Sequence, residues 1–231
     1  MEIFMNRRPE KMETYAGAYV FPGGQVEEGD WSEKMLALVR GLSPAQAQQI
    51  LGVDWRPEVC IGYWVAASRE LFEEAGILFF SAADASLTSE ENAAGRLAEK
   101  RQRLQRGELD FAGLLKSERL HCDVSRLTYF FHRITPEHYS VRFDTRFFLA
   151  ALPQGQNPLH ASEEVAESLW IAPKEALARF DSGSFRMAPP TVMVLRTLAE
   201  HKTWQAMFDL IHRLAAQLRS TRSNLETGGL R

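Results

Sequence analysis

Across residues 59–75 the apolar positions Cys60, Trp64, Ala67, Leu71 and Ala75 recur at intervals of four, three, four and four. That spacing predicts one long helix with an apolar stripe, and Gly76 directly after it is a C-terminal stop. Short apolar runs at 3–5, 18–21 and 77–80 predict strands, the second ending in the turn signal Pro22-Gly23-Gly24. Runs at 127–134, 146–152 and 169–171 predict three more strands. Between residues 31 and 58 the pattern is helical but broken. Leu36, Val39 and Leu42 fall at helical spacing, and Ser43-Pro44-Ala45-Gln46 is a capping box with proline at the first helical position. Gly52 ends that short helix.

Residues 90–106 read as a polar helix carrying Arg96, Lys100, Arg101, Arg103 and Arg106. It fits a solvated face better than a site for a substrate phosphate. Residues 173–180 and 191–218 read as amphipathic helices, and the tail from 219 to 231 as polar and frayed. Strands and helices mix without regular βαβ alternation. The expectation is one α/β domain of α+β type over 1–218, with a helical insertion at 31–58.

Composition narrows the class of protein. The chain has 231 residues, 45% hydrophobic and 25% charged, as expected of an ordinary globular chain. A net charge of −3 gives no global field for nucleic acid or an anionic membrane. Cys60 and Cys122 are too few for a disulfide framework, so the expected setting is reducing. No apolar stretch is long enough to span a bilayer, the first residues lack the apolar core of a signal peptide, and the last three are not a peroxisomal address. The expected location is therefore the cytoplasm.

The chemistry concentrates in Arg69-Glu70-Leu71-Phe72-Glu73-Glu74-Ala75-Gly76-Ile77. Glu70, Glu73 and Glu74 sit at i, i+3 and i+4, on one helix face, where like charges repel. A hard divalent cation, Mg²⁺ or Mn²⁺, relieves that repulsion. Arg69 reaches Glu73 at i+4. Upstream, Gly23-Gly24-Gln25-Val26-Glu27-Glu28-Gly29-Asp30 is a glycine-rich turn leaving a strand, which lets backbone approach a phosphate or metal.

Together these segments resemble the Nudix hydrolase signature, G-x5-E-x7-R-E-U-x-E-E-x-G-U, with U a bulky aliphatic. Gly24 matches the first glycine, Asp30 stands where the pattern has Glu, and Arg69 to Ile77 match throughout. Residues 31–68 stand where the pattern has seven positions, an insertion of 31. The peroxisomal acyl-coenzyme A diphosphatase subgroup is similar in this interruption. It is also similar in Ala18-Tyr19-Val20-Phe21-Pro22-Gly23-Gly24, in Arg142-Phe143-Asp144-Thr145, in a Glu six residues before a Trp (Glu164 and Trp170), and in Ala188-Pro189-Pro190.

The resemblance implies an α/β/α sandwich around a mixed sheet and hydrolysis of a nucleoside diphosphate derivative. Coenzyme A or an acyl-coenzyme A is the favoured substrate. A nucleotide sugar, dinucleotide or damaged nucleotide is the alternative, and a silent ligand-binding module the third. It implies that Glu70, Glu73 and Glu74, with the Gly23 carbonyl as a further candidate, ligate Mg²⁺ or Mn²⁺, and that Arg69 orients the glutamates. Glu164 is the candidate base, with Glu163 and Glu167 as competitors. Gly24 and Arg142 are candidate substrate contacts, although Arg142 and Asp144 equally fit a structural ion pair at a strand start. Asp30 either approaches the metals or caps the inserted helix. The rings of Phe130, Phe131, Phe143, Phe147 and Phe148 read as core. Family members carry a strand before the one leading into Phe-Pro-Gly-Gly, and here only residues 3–6 are available. Either the sheet is short at that edge or a partner chain, as in a homodimer, completes it.

Overall fold

Pro57 opens and Gly76 closes the helix that organises the molecule: proline takes the first turn and Gly76 adopts the left-handed conformation at φ 70°. In chain order the elements are β1 (Ile3–Arg7), β2 (Tyr19–Val20), α1 (Glu33–Leu36), β3 (Val39–Arg40), α2 (Pro44–Leu51), α3 (Pro57–Ala75), β4 (Phe80–Ala82), α4 (Ala93–Gln105), α5 (Phe111–Ser117), β5 (Leu120–Asp123), β6 (Thr128–Ile134), β7 (Asp144–Leu149), β8 (Glu167–Ile171), α6 (Pro173–Asp181) and α7 (Pro189–Ala199). Single 3₁₀ turns lie at Glu28–Trp31 and Val124–Arg126. This computed structural model describes residues 1–12, 14–82, 93–138, 142–158, 165–201, 203, 205–209 and 211.

The strands form three small sheets among the described residues. β1 lies between β2 and β8, antiparallel to both; β5 lies between β3, parallel, and β4, antiparallel; β6 and β7 form an antiparallel pair. The N-terminal strand is thus the middle strand of its sheet, paired with β8 along its whole length and with β2 at Asn6 and Arg7. One apolar cluster surrounds α3, α5 and β5; the other lies between β1, β8, α6 and α7. Helix α3 is buried well beyond one stripe: Ile61, Val65, Ala66, Ser68 and Phe72 are buried along with Cys60, Trp64 and Ala75, so it is an interior helix. The β4 strand starts at Phe80 rather than Ile77. The Gln156 side-chain amide takes the place of a neighbouring strand, accepting from the Leu78 N–H and donating to its carbonyl, both at 2.9 Å.

The insertion is only partly helical. Val39 and Arg40, which fall at helical spacing in the sequence, pair instead with Cys122 and Asp123 as a parallel strand. Three apolar residues at intervals of three fit a helix and not the alternation of a strand, and a pairing partner about 80 residues away leaves no local signal. The capping box at Ser43 and Gln46 forms, and Gly52 ends α2 at φ 68°. Met35 and Ala47 are fully buried, and the Trp31 ring lies where a side chain on Gly62 would sit. At the end of the insertion, Trp55 and Tyr63 hold the Arg146 guanidinium against their rings, at 4.7 and 4.4 Å. The insertion therefore adds to the core instead of hanging from it.

Helix α7 starts two residues before the expected Thr191, because prolines at the first helical positions are welcome. It ends at Ala199. Residues 205–209 are helical again after a break, with the Thr203 hydroxyl accepting from the Ala206 N–H. The rest of the expected helix, 212–218, and the tail lie outside the described residues. Of the five phenylalanines expected in the core, Phe143 is exposed, while Phe130, Phe131 and Phe147 pack on the second cluster and Phe148 on the first.

Candidate active site

The loop after β2 meets the C-terminal half of α3 because two adjacent glycines remove two different obstacles. Gly23 has φ 154°, a backbone conformation side chains rarely permit. At Gly24 the obstacle is space: a Cβ there would lie 2.4 Å from Oε1 of Glu70. The Gly23 N–H donates to Glu74 Oε2 at 3.3 Å, and Asn6 Nδ2 donates to the same oxygen at 3.0 Å. Asn6 is itself held by the Ser168 hydroxyl on β8, which donates to its Oδ1 at 2.8 Å. The 31 inserted residues thus leave both halves of the motif in contact.

Behind the glutamates, Arg69 uses every N–H it has. Its Nε and one terminal nitrogen grip both oxygens of Asp30 (2.9 and 3.1 Å). Its other contacts are Glu70 at 2.8 Å, Glu73 at 3.2 Å and the Gln25 carbonyl at 2.8 Å. Arg69 and Asp30 are both buried. Burial alone lowers the Arg69 pKa, but the bonds and charges of Asp30, Glu70 and Glu73 more than reverse this, so the net shift is upward. Asp30 also accepts from the Glu27 N–H at 2.8 Å, closing its own turn. Asp30 is therefore the anchor for Arg69. It neither caps α2, whose cap is Ser43, nor stands free towards a metal.

The third anchor came from a segment that reads as solvated. Arg101 on α4 is buried, and its Nε donates to the carbonyls of Phe72 (3.0 Å) and Glu73 (2.8 Å), with a terminal nitrogen reaching Glu74 O at 3.2 Å. Gln105 adds a bond to Glu73 O at 2.7 Å. A cation on the last carbonyls of a helix answers its open acceptors and its dipole. Arg96 and Lys100 both pair with Glu118. One residue of the basic run, Arg101, is therefore a clamp on the helix that carries the glutamates, while Arg96 and Lys100 serve Glu118. Arg101→Ala, removing a charged donor from three carbonyls of which Phe72 O keeps the Gly76 N–H and Glu73 O keeps Gln105, should cost about 2–3 kcal/mol in urea denaturation.

Glu70 and Glu74 line a cleft of about 200 Å³ together with Asn6, Gly23, Gly24 and Val165. Glu70 is largely desolvated, and burial, reinforced by the charge of Glu73 and only partly offset by Arg69, lifts its pKa from 4.5 to about 7. The donor set is all oxygen, as a hard cation prefers. Glu73 and Glu74 turn towards N–H donors, and among the described residues no three His, Cys, Asp or Glu side chains are gathered for metal binding as they stand. Two carboxylates at i and i+4 opening into one cleft, one resisting ionisation, nonetheless suit a divalent cation. A carboxyl with a raised pKa in the folded state stabilises the fold below about 4.5, and this contribution is lost as pH climbs through about 7. In EDTA, the melting temperature should therefore fall between pH values of about 5 and 8. Mg²⁺ should raise it more at the upper end, which thermal scans at the two pH values will check.

Elsewhere, Arg142 donates through Nε to the Thr135 carbonyl at 3.0 Å, tying the start of β7 to the end of β6. Asp144 takes Arg146 (2.8 Å) and His132 (2.6 Å) as partners rather than Arg142. Glu167 accepts from Arg7 and from the Tyr19 hydroxyl. Glu163 and Glu164 lie outside the described residues; Val165, the next residue, lines the cleft.

The chain as a whole is similar to known proteins. A family model, the NUDT19 Nudix domain, matches residues 1–198. The chain belongs to the NUDT19-type Nudix family. Acyl-coenzyme A diphosphatase NUDT19 from Gallus gallus is 32% identical over 225 residues, covering 82% of this chain and 58% of the relative. The Xenopus laevis protein of the same name is 26% identical, covering 85% and 59%. Putative nudix hydrolase 7 of Caenorhabditis elegans is also 26% identical, covering 87% and 57%. This Nudix chain thus spans under two thirds of the length of these relatives. Among solved structures, a Nudix hydrolase from Alicyclobacillus acidocaldarius superposes with a TM-score of 0.62 at 25% identity, covering 89% of this chain and 87% of that one. Like that neighbour, it is a Nudix fold of mixed α and β elements. No helix among the described residues is long and apolar enough to cross a membrane.

Proposed function

We propose that this chain is a divalent-cation-dependent diphosphatase that hydrolyses the diphosphate bond of coenzyme A or an acyl-coenzyme A. The observation that carries the reading is the packing of Gly23 and Gly24 onto Glu74 and Glu70, which makes one cleft of two segments separated by the insertion. The names of the avian and amphibian relatives favour the coenzyme A substrate. Glu70, Glu73 and Glu74, with the Gly23 carbonyl, would hold Mg²⁺ or Mn²⁺. When bound, the cation neutralises diphosphate oxygens and lowers the pKa of a water nucleophile. Arg69 keeps Glu70 and Glu73 in place and balances part of their charge. Gly24 contributes absence of bulk, letting the backbone approach the diphosphate. Glu164 would take the proton of the attacking water; its competitor Glu167 is engaged with Arg7 and Tyr19. Arg142, at the end of the β6–β7 hairpin, would act on substrate only through a part remote from the diphosphate.

Both cysteines are buried and free, in keeping with a reducing compartment such as the cytoplasm. The test is a panel of coenzyme A, acyl-coenzyme A, nucleotide sugars and dinucleotides with Mg²⁺ and with Mn²⁺, with the products identified. Cleavage of coenzyme A between the two phosphates is expected. Faster turnover of a nucleotide sugar or dinucleotide would reassign the substrate, and binding without any turnover would make the chain a ligand-binding module.

A further inference from the structure

We propose that Arg8 is the residue that grips a substrate phosphate in this cleft. The inference rests on the diphosphatase reading above and adds a recognition residue that the motif does not contain. The residues lining the cleft include the acids Glu70 and Glu74 and the arginines Arg7 and Arg8. A polyphosphate entering it meets carboxylates, and cations bound to those carboxylates screen only the near side of the substrate. The far side calls for a positive group with free donors.

The two arginines are not equivalent. Arg7 is committed to Glu167 at 3.2 Å and Glu10 at 3.5 Å. The Nε of Arg8 is buried and has no hydrogen-bond partner. A buried N–H without an acceptor is costly, and such groups in native proteins are normally satisfied by protein, water or ligand. The backbone gives the direction. Antiparallel pairing of β1 with the next strand continues past Arg7, with the Arg8 N–H donating to the Ala18 carbonyl at 3.0 Å. The twofold alternation of an extended chain then puts Arg8 on the same face as Asn6, whose amide holds Glu74. Arg8 therefore stands one step along the same wall from the glutamate contact, about 6.6 Å further by strand rise. The planar guanidinium fork suits phosphate oxygens in a way an ammonium does not.

The experiment uses the full chain and methylenediphosphonate, a diphosphate that cannot be hydrolysed, titrated calorimetrically in the presence of Mn²⁺. Arg8→Ala should weaken its binding by about tenfold or more, the loss of one charge-assisted bond. Arg8→Lys should recover only part of that. Mn²⁺ binding in the absence of the diphosphonate, read by electron paramagnetic resonance, should stay within about twofold of wild type, as should the melting temperature profile. With substrate, KM should rise while kcat changes little, the pattern of lost uniform binding. Wild-type diphosphonate affinity in Arg8→Ala overturns the proposal, and so does an equal loss of Mn²⁺ affinity, which would make Arg8 a support for the fold or the metal site. Full recovery in Arg8→Lys would overturn the role assigned to the fork. If wild-type protein hydrolyses nothing in the substrate panel, the enzymatic reading fails on its own, while the diphosphonate titration still decides the role of Arg8.

Discussion

Changing Glu74 to Gln should lower kcat by about two to three orders of magnitude and leave the fold intact, a loss typical of removing one group that stabilises charge in a transition state. The glutamine keeps an oxygen where Glu74 Oε2 now accepts from Asn6 and from the Gly23 N–H, so the loop stays docked. What disappears is the negative charge a hard cation requires. Glu73→Gln should act in the same direction, with an added weakening of the Arg69 contact at 3.2 Å. The paired measurements are steady-state hydrolysis and Mn²⁺ affinity, alongside circular dichroism for the fold. Wild-type turnover in both variants would remove these side chains from the reaction.

Arg69→Met is the substitution with the largest expected effect on stability. Methionine fills much of the volume but leaves Asp30 buried with a charge and no counter-ion. It also leaves Glu70 and Glu73 facing each other without the cation that now bridges them. Breaking a buried pair from one side costs about 3–5 kcal/mol. Because the turn from Gln25 to Asp30 hangs on the same guanidinium, the glycine loop should also loosen and activity should fall with stability. Arg69→Lys should rescue little, since an ammonium cannot grip both oxygens of Asp30 while reaching Glu70, Glu73 and the Gln25 carbonyl. Urea denaturation of the three proteins in EDTA measures this. An Arg69→Met protein within about 1 kcal/mol of wild type would mean the network is not buried in solution as it is here.

The contrast between these two predictions follows how much of each residue's role was legible in advance. Glu70, Glu73 and Glu74 are readable because their meaning is local: i, i+3 and i+4 on a helix share a face whatever the rest of the chain does. The same holds for the capping box at Ser43, the glycine stops at 52 and 76, and the strand leading into the glycine loop. Periodicity and end signals are properties of short windows, and they survive folding unchanged.

Arg101 and Asp30 show the opposite case. A helix with five basic residues in eleven positions reads as a solvated face, yet Arg101 points inward, where it donates to the last carbonyls of α3. Asp30 reads as a shortened metal ligand, yet burial beside Arg69 makes it an anchor. Val39 reads as helix, yet it is strand because β5 offers a ladder. Each depends on a partner 27 to 83 positions away, and no local spacing encodes such a partner.

The sequence by itself determined the family and the residue set on which the proposed chemistry rests: three acids on one helical face, an arginine beside them and two glycines on a turn. The tertiary structure decided how that chemistry is held. It brought the glycine turn back across 31 inserted residues, chose Asp30 and Arg101 as anchors, and left Arg8 in the cleft with a buried donor unspent. The physical reason is that hydrogen bonding along a helix is set by neighbours in sequence, while charge pairing and desolvation are set by neighbours in space.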